Sequence, residues 1–466
     1  KLRKMAIFAK QYNDNTMGGF LSKYGADYRA IVRLGLPILI GQLGMIVVGF
    51  ADNIMVGRYS TEALASASFV NNLFNVAIFG CVGFTYGITP LVGALFTQGR
   101  GDAIGRMMRN AVVLNVLFAL FVTAIMGVIY TNIDRLGQPE QLLPLIRPYF
   151  LIYLAGLVPV SLFNVFAQWS FAINRTKLPM WIILGCNVVN IIGNWLLIYG
   201  NLGFPELGLT GAGISTLVAR VICPAAIITV FFTVRKFSQY SDGFLRGRLN
   251  SSQALLLNRT SWPVALQMVL ESGSFSMAAV MAGWIGAVEL ASFQVMVIIG
   301  TLGFCIYYSI GSAVAIMVSN ANGLGDRAGM RRVSFAGYHV MIAVATCSSL
   351  FFILAARGVI GAFTEDPAVI AVASGLIMPL VLYQYCDATQ INFANALRGT
   401  ANVMPMVWIA FVAYVVVGLP ATYALGFPAG LGIYGIFLSF SVSLFVAAVL
   451  FLLFFMRSTR LKSISR

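Results

Sequence analysis

The chain has 466 residues, 59% hydrophobic and only 10% charged, with a mean hydropathy of +0.87 and a net charge of +15. Apolar runs of about 20 residues recur throughout, which excludes a soluble domain and implies a polytopic helical membrane protein. The runs are too long and continuous for the strands of a membrane barrel.

Residues 1–30 are polar and mixed in charge, with neither a short apolar core nor a cleavage site, so no signal peptide is expected and the segment reads as a cytoplasmic N-terminal extension. Twelve spans are predicted, over 31–56, 66–97, 107–130, 146–173, 178–200, 211–234, 261–286, 290–320, 333–356, 368–397, 402–424 and 433–456. With both termini cytoplasmic, 25 of the 30 Lys and Arg lie on the cytoplasmic side, four lie outside (Arg58, Arg135, Arg147, Arg357), and Arg220 falls within span 6. This positive-inside asymmetry accounts for the net charge and excludes a nucleic-acid patch. All six cysteines fall within spans, without metal spacing or a Cys-x-x-Cys pair, and are expected to pack. Sequons at Asn174, Asn250 and Asn258 lie in predicted cytoplasmic loops and read as chance matches.

Shifting the sequence by 224–226 residues aligns its two halves. Pro37 meets Pro263, Leu64-Ala65-Ser66 meets Leu290-Ala291-Ser292, and Gly101-Asp102 meets Gly325-Asp326. Leu207-Gly208 and Gly211 meet Leu431-Gly432 and Gly435. Each half therefore holds six helices, and an even count puts both halves in the same orientation. The expected architecture is all-α, with twelve transmembrane helices in two pseudosymmetric six-helix lobes: an N-lobe over 31–234, a basic cytoplasmic linker over 235–260, a C-lobe over 261–456 and a tail over 457–466. Two such lobes with a site between them are a common transporter plan.

Of 15 carboxylates, 12 lie in or beside connecting segments, and Asp52, Glu271 and Asp387 lie deep in spans. A charge at mid-bilayer costs roughly 2.5–3.5 kcal/mol on insertion scales and is retained for a purpose. Three intramembrane acids and no intramembrane lysine suggest that cations are handled there. In span 5, Asn187, Asn190 and Asn194 form one stripe, and Thr216 in span 6 offers a hydroxyl. With Asp52 they are hard oxygen ligands that suit a small cation, while interhelical hydrogen bonding is the alternative use of the asparagines. In the C-lobe, span 7 carries Gln267, Glu271 and Ser274 on one face, and span 10 carries Tyr383, Asp387 and Gln390, with Gln294 in span 8. Two nearby carboxyls do not readily both stay bare, so they would share a proton or a monovalent cation; two independent structural acids are the alternative. Arg220 reads as a structural ion pair or interior hydrogen-bond donor rather than a substrate contact. His339, the only histidine, reads as packing near the cytoplasmic end of span 9.

FADNIMVG (50–57) resembles the multidrug and toxic compound extrusion (MATE) transporters, in particular their NorM-like branch. The resemblance extends through PILIGQLGMIVVGFADNIMVG, the NVVNIIGNWLLIYG and PELGLTGAG runs, the Glu271 segment and YQYCDATQINFANALRGT, covering nearly the whole chain. It implies a two-lobe antiporter of a bacterial inner membrane that exports cationic, lipophilic or aromatic compounds against inward Na+ or H+, with no other cofactor. Carried over by motif, Asp52, Asn190, Asn194 and Thr216 would form an N-lobe cation site, and Glu271, Gln294, Tyr383 and Asp387 a C-lobe cation and substrate site. Na+, as coupling ion, would sit at Asp52, Asn190 and Asn194 or at Glu271 and Asp387. Some relatives carry Asp at the position of Asn194, which leaves the ion open. The expected partners are small molecules and the lipid bilayer, and the expected state is a monomer.

GLGDRAGMRR (323–332) resembles the signature loop of major facilitator transporters, which also have two six-helix halves. That class, and a lipid or polysaccharide flippase, are the alternative readings. No convergent catalytic set or metal motif is present in the sequence, so enzymatic activity is not expected, and two pseudosymmetric lobes argue against a channel.

Overall fold

The computed structural model describes residues 20–460 apart from Gln138. The polar segment 1–19, where no signal peptide is expected, and the end of the tail from residue 461 lie outside the described residues. Apolar segments with no water to bond must satisfy their backbone internally, and they do so as helices. The N-lobe comprises α1 (Phe20–Tyr59), α2 (Thr61–Thr85) with α3 (Ile88–Thr97), α4 (Gly101–Thr131), α5 (Leu143–Ala155) with α6 (Leu157–Ala172), α7 (Lys177–Tyr199) and α8 (Gly208–Thr233). A short α9 (Ser238–Arg246) follows. The C-lobe comprises α10 (Ser251–Ile285), α11 (Ala287–Gly323), α12 (Arg327–Gly361), α13 (Pro367–Gly375) with α14 (Ile377–Gly399), α15 (Met404–Ala410), a π-helical stretch (Phe411–Gly418) continuing into α16 (Leu419–Gly426), and α17 (Gly432–Ser458). Among the described residues, eleven helical spans are long and apolar enough to cross a membrane, and the α13–α14 pair, bent by 49°, makes a twelfth.

The internal repeat is visible as backbone geometry. Gly208 and Gly432, each the first residue of a lobe's last helix, have φ of 53° and 55°, a left-handed conformation that favours glycine. Gly211 and Gly435 then lie against the carbonyls of Leu197 and Leu425, where a Cβ has no room. Gly99 and Gly325 close α3 and α11 at φ 69° and 71°. Each is followed by an amide bonded five residues back, Arg100 to Leu95 at 3.1 Å and Asp326 to Ala321 at 3.0 Å. The equivalence at this junction is thus Gly99 with Gly325, two residues away from the Gly101-Asp102 match that identity alone suggests. Asp326 accepts a 2.8 Å hydrogen bond from the Gly329 amide, so the major facilitator-like loop serves here as a helix cap.

The segment after α8 is ordered on the N-lobe. Gly105 and Gly243 let α4 and α9 touch backbone to backbone. Asn250 caps α10, its Oδ1 accepting from the Ser252 amide at 2.9 Å, and its own amide donates to Asn110 Oδ1 at 3.0 Å. The Asn250 sequon is therefore a helix start.

The lobes meet at the end of the bundle that carries the basic loops. Gly83 faces Ala265, Gly87 faces Ser261, and Gly93 and Gly323 face Ser319 and Ala94 across the interface. Asp27 pairs with Arg332 at 2.7 Å, and the Tyr28 hydroxyl lies 3.0 Å from His339 Nδ1. Arg398, placed in a loop by the sequence reading, is 5% exposed and stacks over Tyr86 of the other lobe at 4.6 Å. At the opposite end, among the described residues, no hydrogen bond, ion pair or ring contact joins the lobes. Among the described residues, the polar and ring contacts that join the lobes are thus confined to the basic-loop end.

A Cβ at Gly87 would lie 2.8 Å from the Ser261 Cα, which is backbone and cannot rotate away. Gly87→Val should wedge the basic-loop end. In a cysteine-free background, Ser312→Cys, on the side of α11 that faces the N-lobe, should then react several-fold faster with a membrane-impermeant thiol reagent applied from the basic-loop side; an unchanged rate would show that this contact does not hold the lobes together.

Candidate functional site

The N-lobe encloses a cavity of about 640 Å³ lined by α1, α2, α5, α6, α7 and α8, with Tyr86 and, from the C-lobe, Tyr308 and Ser312 also contributing. Asp52, Asn190 and Thr216 reach its wall together. Asn194, fully buried, donates from Nδ2 to Asp52 Oδ1, and Asn190 Nδ2 donates to Thr216 Oγ1 at 3.2 Å. In both amides the Oδ1 atom is buried with no hydrogen-bond partner. Unpaired carbonyl oxygens beside a carboxylate are the donor set that a small cation requires, so the residues fit such an ion. The three-and-four spacing of the asparagines turned these groups onto one face, and the packing of α7 against α8 and α1 brings them to Asp52 and Thr216.

The C-lobe cluster lies between α10, α14 and the π-helical stretch. Gln267 Nε2 donates to a Glu271 carboxylate oxygen at 2.6 Å. Gln390 Nε2 donates to the Tyr414 hydroxyl at 3.0 Å, and Tyr414 also faces Glu271. Asp387 is 2% exposed, and its Oδ2 is buried without a hydrogen-bond partner. Tyr383 and Tyr414 both lie within electrostatic reach of both carboxyls. Tyr383 is held by an aromatic wall of Phe275, Phe437 and Phe440 at 6.2–6.4 Å. Glu271, Tyr383 and Asp387 are thus brought together. Gln294 is exposed on α11, and among the described residues no side-chain hydrogen bond ties it to them.

With this geometry in hand, the family model MatE matches residues 37–196 and 263–424, one match in each lobe. The chain belongs to the MatE family. A protein of Geobacillus kaustophilus named probable multidrug resistance protein NorM is 29% identical, over 92% of this chain and 95% of that protein. A Bradyrhizobium diazoefficiens protein of the same name is 28% identical, over 96% and 97%. Among solved structures, the eukaryotic MATE transporter AtDTX14 superposes with a TM-score of 0.84 at 17% identity, covering 94% of this chain and 98% of that one. A multidrug resistance MATE family transporter described as outward-facing superposes with a TM-score of 0.83 at 20% identity, covering 96% and 99%. Each MatE repeat match ends short of its lobe's last helix, yet both lobes complete six spans.

Three features were not assembled by sequence reasoning. Tyr414 joins the acids because the π-helical stretch shifts the register of its helix, and π-bulges often mark functional sites. Gln384, fully buried, accepts from Tyr307 and, at 2.6 Å, from Ser348, building a polar layer behind Asp387. Cys186 and Cys223, expected only to pack, lie side by side across α7 and α8 at the N-lobe cavity wall. No local signal in the sequence marks these pairings.

Because Asp387 Oδ2 is buried and unpartnered, removing its charge costs the fold no ion pair. Asp387→Asn should insert and fold, and its melting temperature in detergent should equal or exceed that of the wild type. A fall of many degrees would mean that the carboxyl is structural.

Proposed function

We propose that this protein is a multidrug efflux antiporter of a bacterial inner membrane, working as a monomer with both termini cytoplasmic. It exports cationic lipophilic or aromatic compounds in exchange for inward Na+ or H+ by alternating access of its two lobes. The observation that carries this reading is the pair of half-buried Glu271 and buried Asp387, within electrostatic reach of each other and, among the described residues, with no basic side chain in ion-pair distance. Two such carboxyls resist being bare at once, so a proton, a metal ion or a cationic substrate must compensate them in turn, and mutual exclusion of these occupants is what antiport requires. Support also comes from the names of the relatives and from the lobe arrangement. With the basic loops cytoplasmic, the contacts that join the lobes lie on the cytoplasmic side, as expected of a state in which cargo leaves and a coupling ion enters from the opposite side. The polar N-lobe asparagines and Asp52 form a second site that fits a small cation.

Ethidium efflux from energised vesicles, with Na+ and pH gradients imposed separately, tests the reading. Wild-type efflux should follow at least one gradient, and Asp387→Asn should lose coupled efflux by tenfold or more, about 1.4 kcal/mol per decade. Efflux by this variant at the wild-type rate would remove Asp387 from the mechanism.

For the N-lobe, a bound ion should raise the melting temperature by a free energy of RT ln(1 + [L]/Kd). Asp52→Asn should flatten the rise of melting temperature with coupling-ion concentration. A response equal to that of the wild type would place the ion site at Glu271 and Asp387 alone.

A further inference from the structure

The last helix of the C-lobe carries an uncovered apolar stripe that runs into a cluster of arginines. α17 has 27 residues, about 40 Å at about 1.5 Å each, against a hydrocarbon core of about 30 Å. Its last turns therefore stand at headgroup depth, at the basic-loop end of the bundle. Phe445, Val449 and Leu453 are exposed and follow one another at one-turn spacing, on one face of the helix. Arg457 comes next on that face, and Arg460 follows just past the helix end. There Arg331, from the first turns of α12, joins Leu453, Met456, Arg457 and Arg460 around a groove of about 620 Å³. Arg331 is held in place: Nε donates to Thr459 Oγ1 and Nη2 to the Met456 carbonyl, both at 3.0 Å. Arg327 Nη1 donates to the Arg460 carbonyl at 2.7 Å and ties the chain after α17 to α12. Among the described residues no carboxylate lines the groove, and none forms an ion pair with Arg331, Arg457 or Arg460.

We infer that this groove binds an anionic phospholipid of the leaflet at the basic-loop end, its phosphate on Arg331, Arg457 and Arg460 and an acyl chain along Leu453, Val449 and Phe445. Three guanidiniums without a carboxylate leave an excess of charge that phosphate neutralises through charge-assisted hydrogen bonds. The planar fork of donors matches phosphate oxygens, and Nη1 of Arg331 makes no hydrogen bond among the described residues. Because Thr459 and Met456 already fix Arg331, little of its side-chain freedom is lost on binding. The stripe decides between a lipid and a free phosphate. An anion in solution has no use for Leu453, Val449 and Phe445, whereas a phospholipid joins chain to headgroup where the stripe meets the arginines. Three positive charges exceed the single charge of one phosphodiester, so a lipid with two phosphodiesters suits the groove best. The site uses no residue of either acid cluster and stands independently of cargo and coupling ion.

Native mass spectrometry of the purified full chain in a neutral detergent tests the site. The probes are tetraoleoyl cardiolipin, dioleoyl phosphatidylglycerol, dioleoyl phosphatidylcholine and inorganic pyrophosphate. The wild type should bind its first cardiolipin about tenfold or more tighter than phosphatidylcholine, with phosphatidylglycerol between them. The double variant Arg457→Gln, Arg460→Gln should lose about tenfold or more of that preference, as expected for two basic side chains removed from a lipid headgroup. Both side chains are exposed, so its melting temperature should match that of the wild type. Replacing the same two arginines by lysine should keep most of the preference. Arg246→Gln with Arg248→Gln removes two exposed arginines elsewhere at the basic-loop end and should leave the preference unchanged. An unchanged preference in the Arg457, Arg460 glutamine variant would overturn the site. An equal loss in the Arg246, Arg248 pair would also overturn it, as diffuse surface charge. Displacement of cardiolipin by equimolar pyrophosphate would overturn the lipid assignment and leave an anion site only.

Discussion

A carboxyl group taken out of water without a cation beside it is the constraint on which this molecule is organised. In a bilayer-embedded bundle an ionised, unpaired acid is held only if protein dipoles or a mobile cation compensate it. Asp387 has a buried oxygen with no partner, Glu271 leans on Gln267 and Tyr414, and Asp52 accepts from Asn194. None of the three has an arginine or lysine within ion-pair distance among the described residues. The surrounding amides and phenols supply partial compensation, and their orientation leaves carbonyl oxygens, such as Asn190 Oδ1 and Asn194 Oδ1, still unsatisfied. Such sites are incomplete by themselves, a property that suits exchange better than stability.

The two lobes solve the same folding problem and diverge in chemistry. Their repeated glycines at equivalent turns and close helix contacts fix the same helix path twice. Within that path the N-lobe breaks its fourth span at Gly156 and encloses a cavity carrying both signs of charge. The C-lobe bends its fourth span by 49°, inserts a π-helical stretch in its fifth and packs two acids among tyrosines and phenylalanines. Duplication supplied the frame, and each lobe's irregular helices decided what its interior can hold.

Closure at the basic-loop end depends on small residues rather than on strong pairs. Glycines bring helices close enough for backbone contact, which gives dispersion without polar bonds that would be costly to break. Several polar links across this end are long, as in the 3.4 Å hydrogen bonds from Thr260 to the Gly87 carbonyl and from Ser319 to the Thr89 carbonyl, and one contact is the cation–π pair of Arg398 and Tyr86, a type worth about 0.5–2 kcal/mol. An interface of this kind can separate and re-form, which a rocking mechanism needs. The buried Nε of Arg398, without a hydrogen-bond partner, shows that the closed state leaves its own charge imperfectly satisfied.

Hydropathy, charge asymmetry and repetition are properties of local sequence, and they were sufficient to define an all-α membrane protein of two six-helix lobes. The cost of burying a charge made Asp52, Glu271 and Asp387 visible for the same reason: an acid in an apolar run stands out without knowledge of its neighbours. Helical spacing likewise placed Asn190 with Asn194, and Tyr383 with Asp387, on shared faces. What the helices do to one another was not available at that level. Arg398 read as a loop residue because it follows an apolar run, yet the other lobe covers it. Gln294 read as part of the acid cluster, yet it is exposed on α11. Tyr414 and the Cys186–Cys223 pair depend on helix register and crossing, and Arg220 depends on a slot made by a break in a different helix. Composition and periodicity are summed along the chain, so they report which groups are buried; only the packing of distant helices decides which buried groups meet.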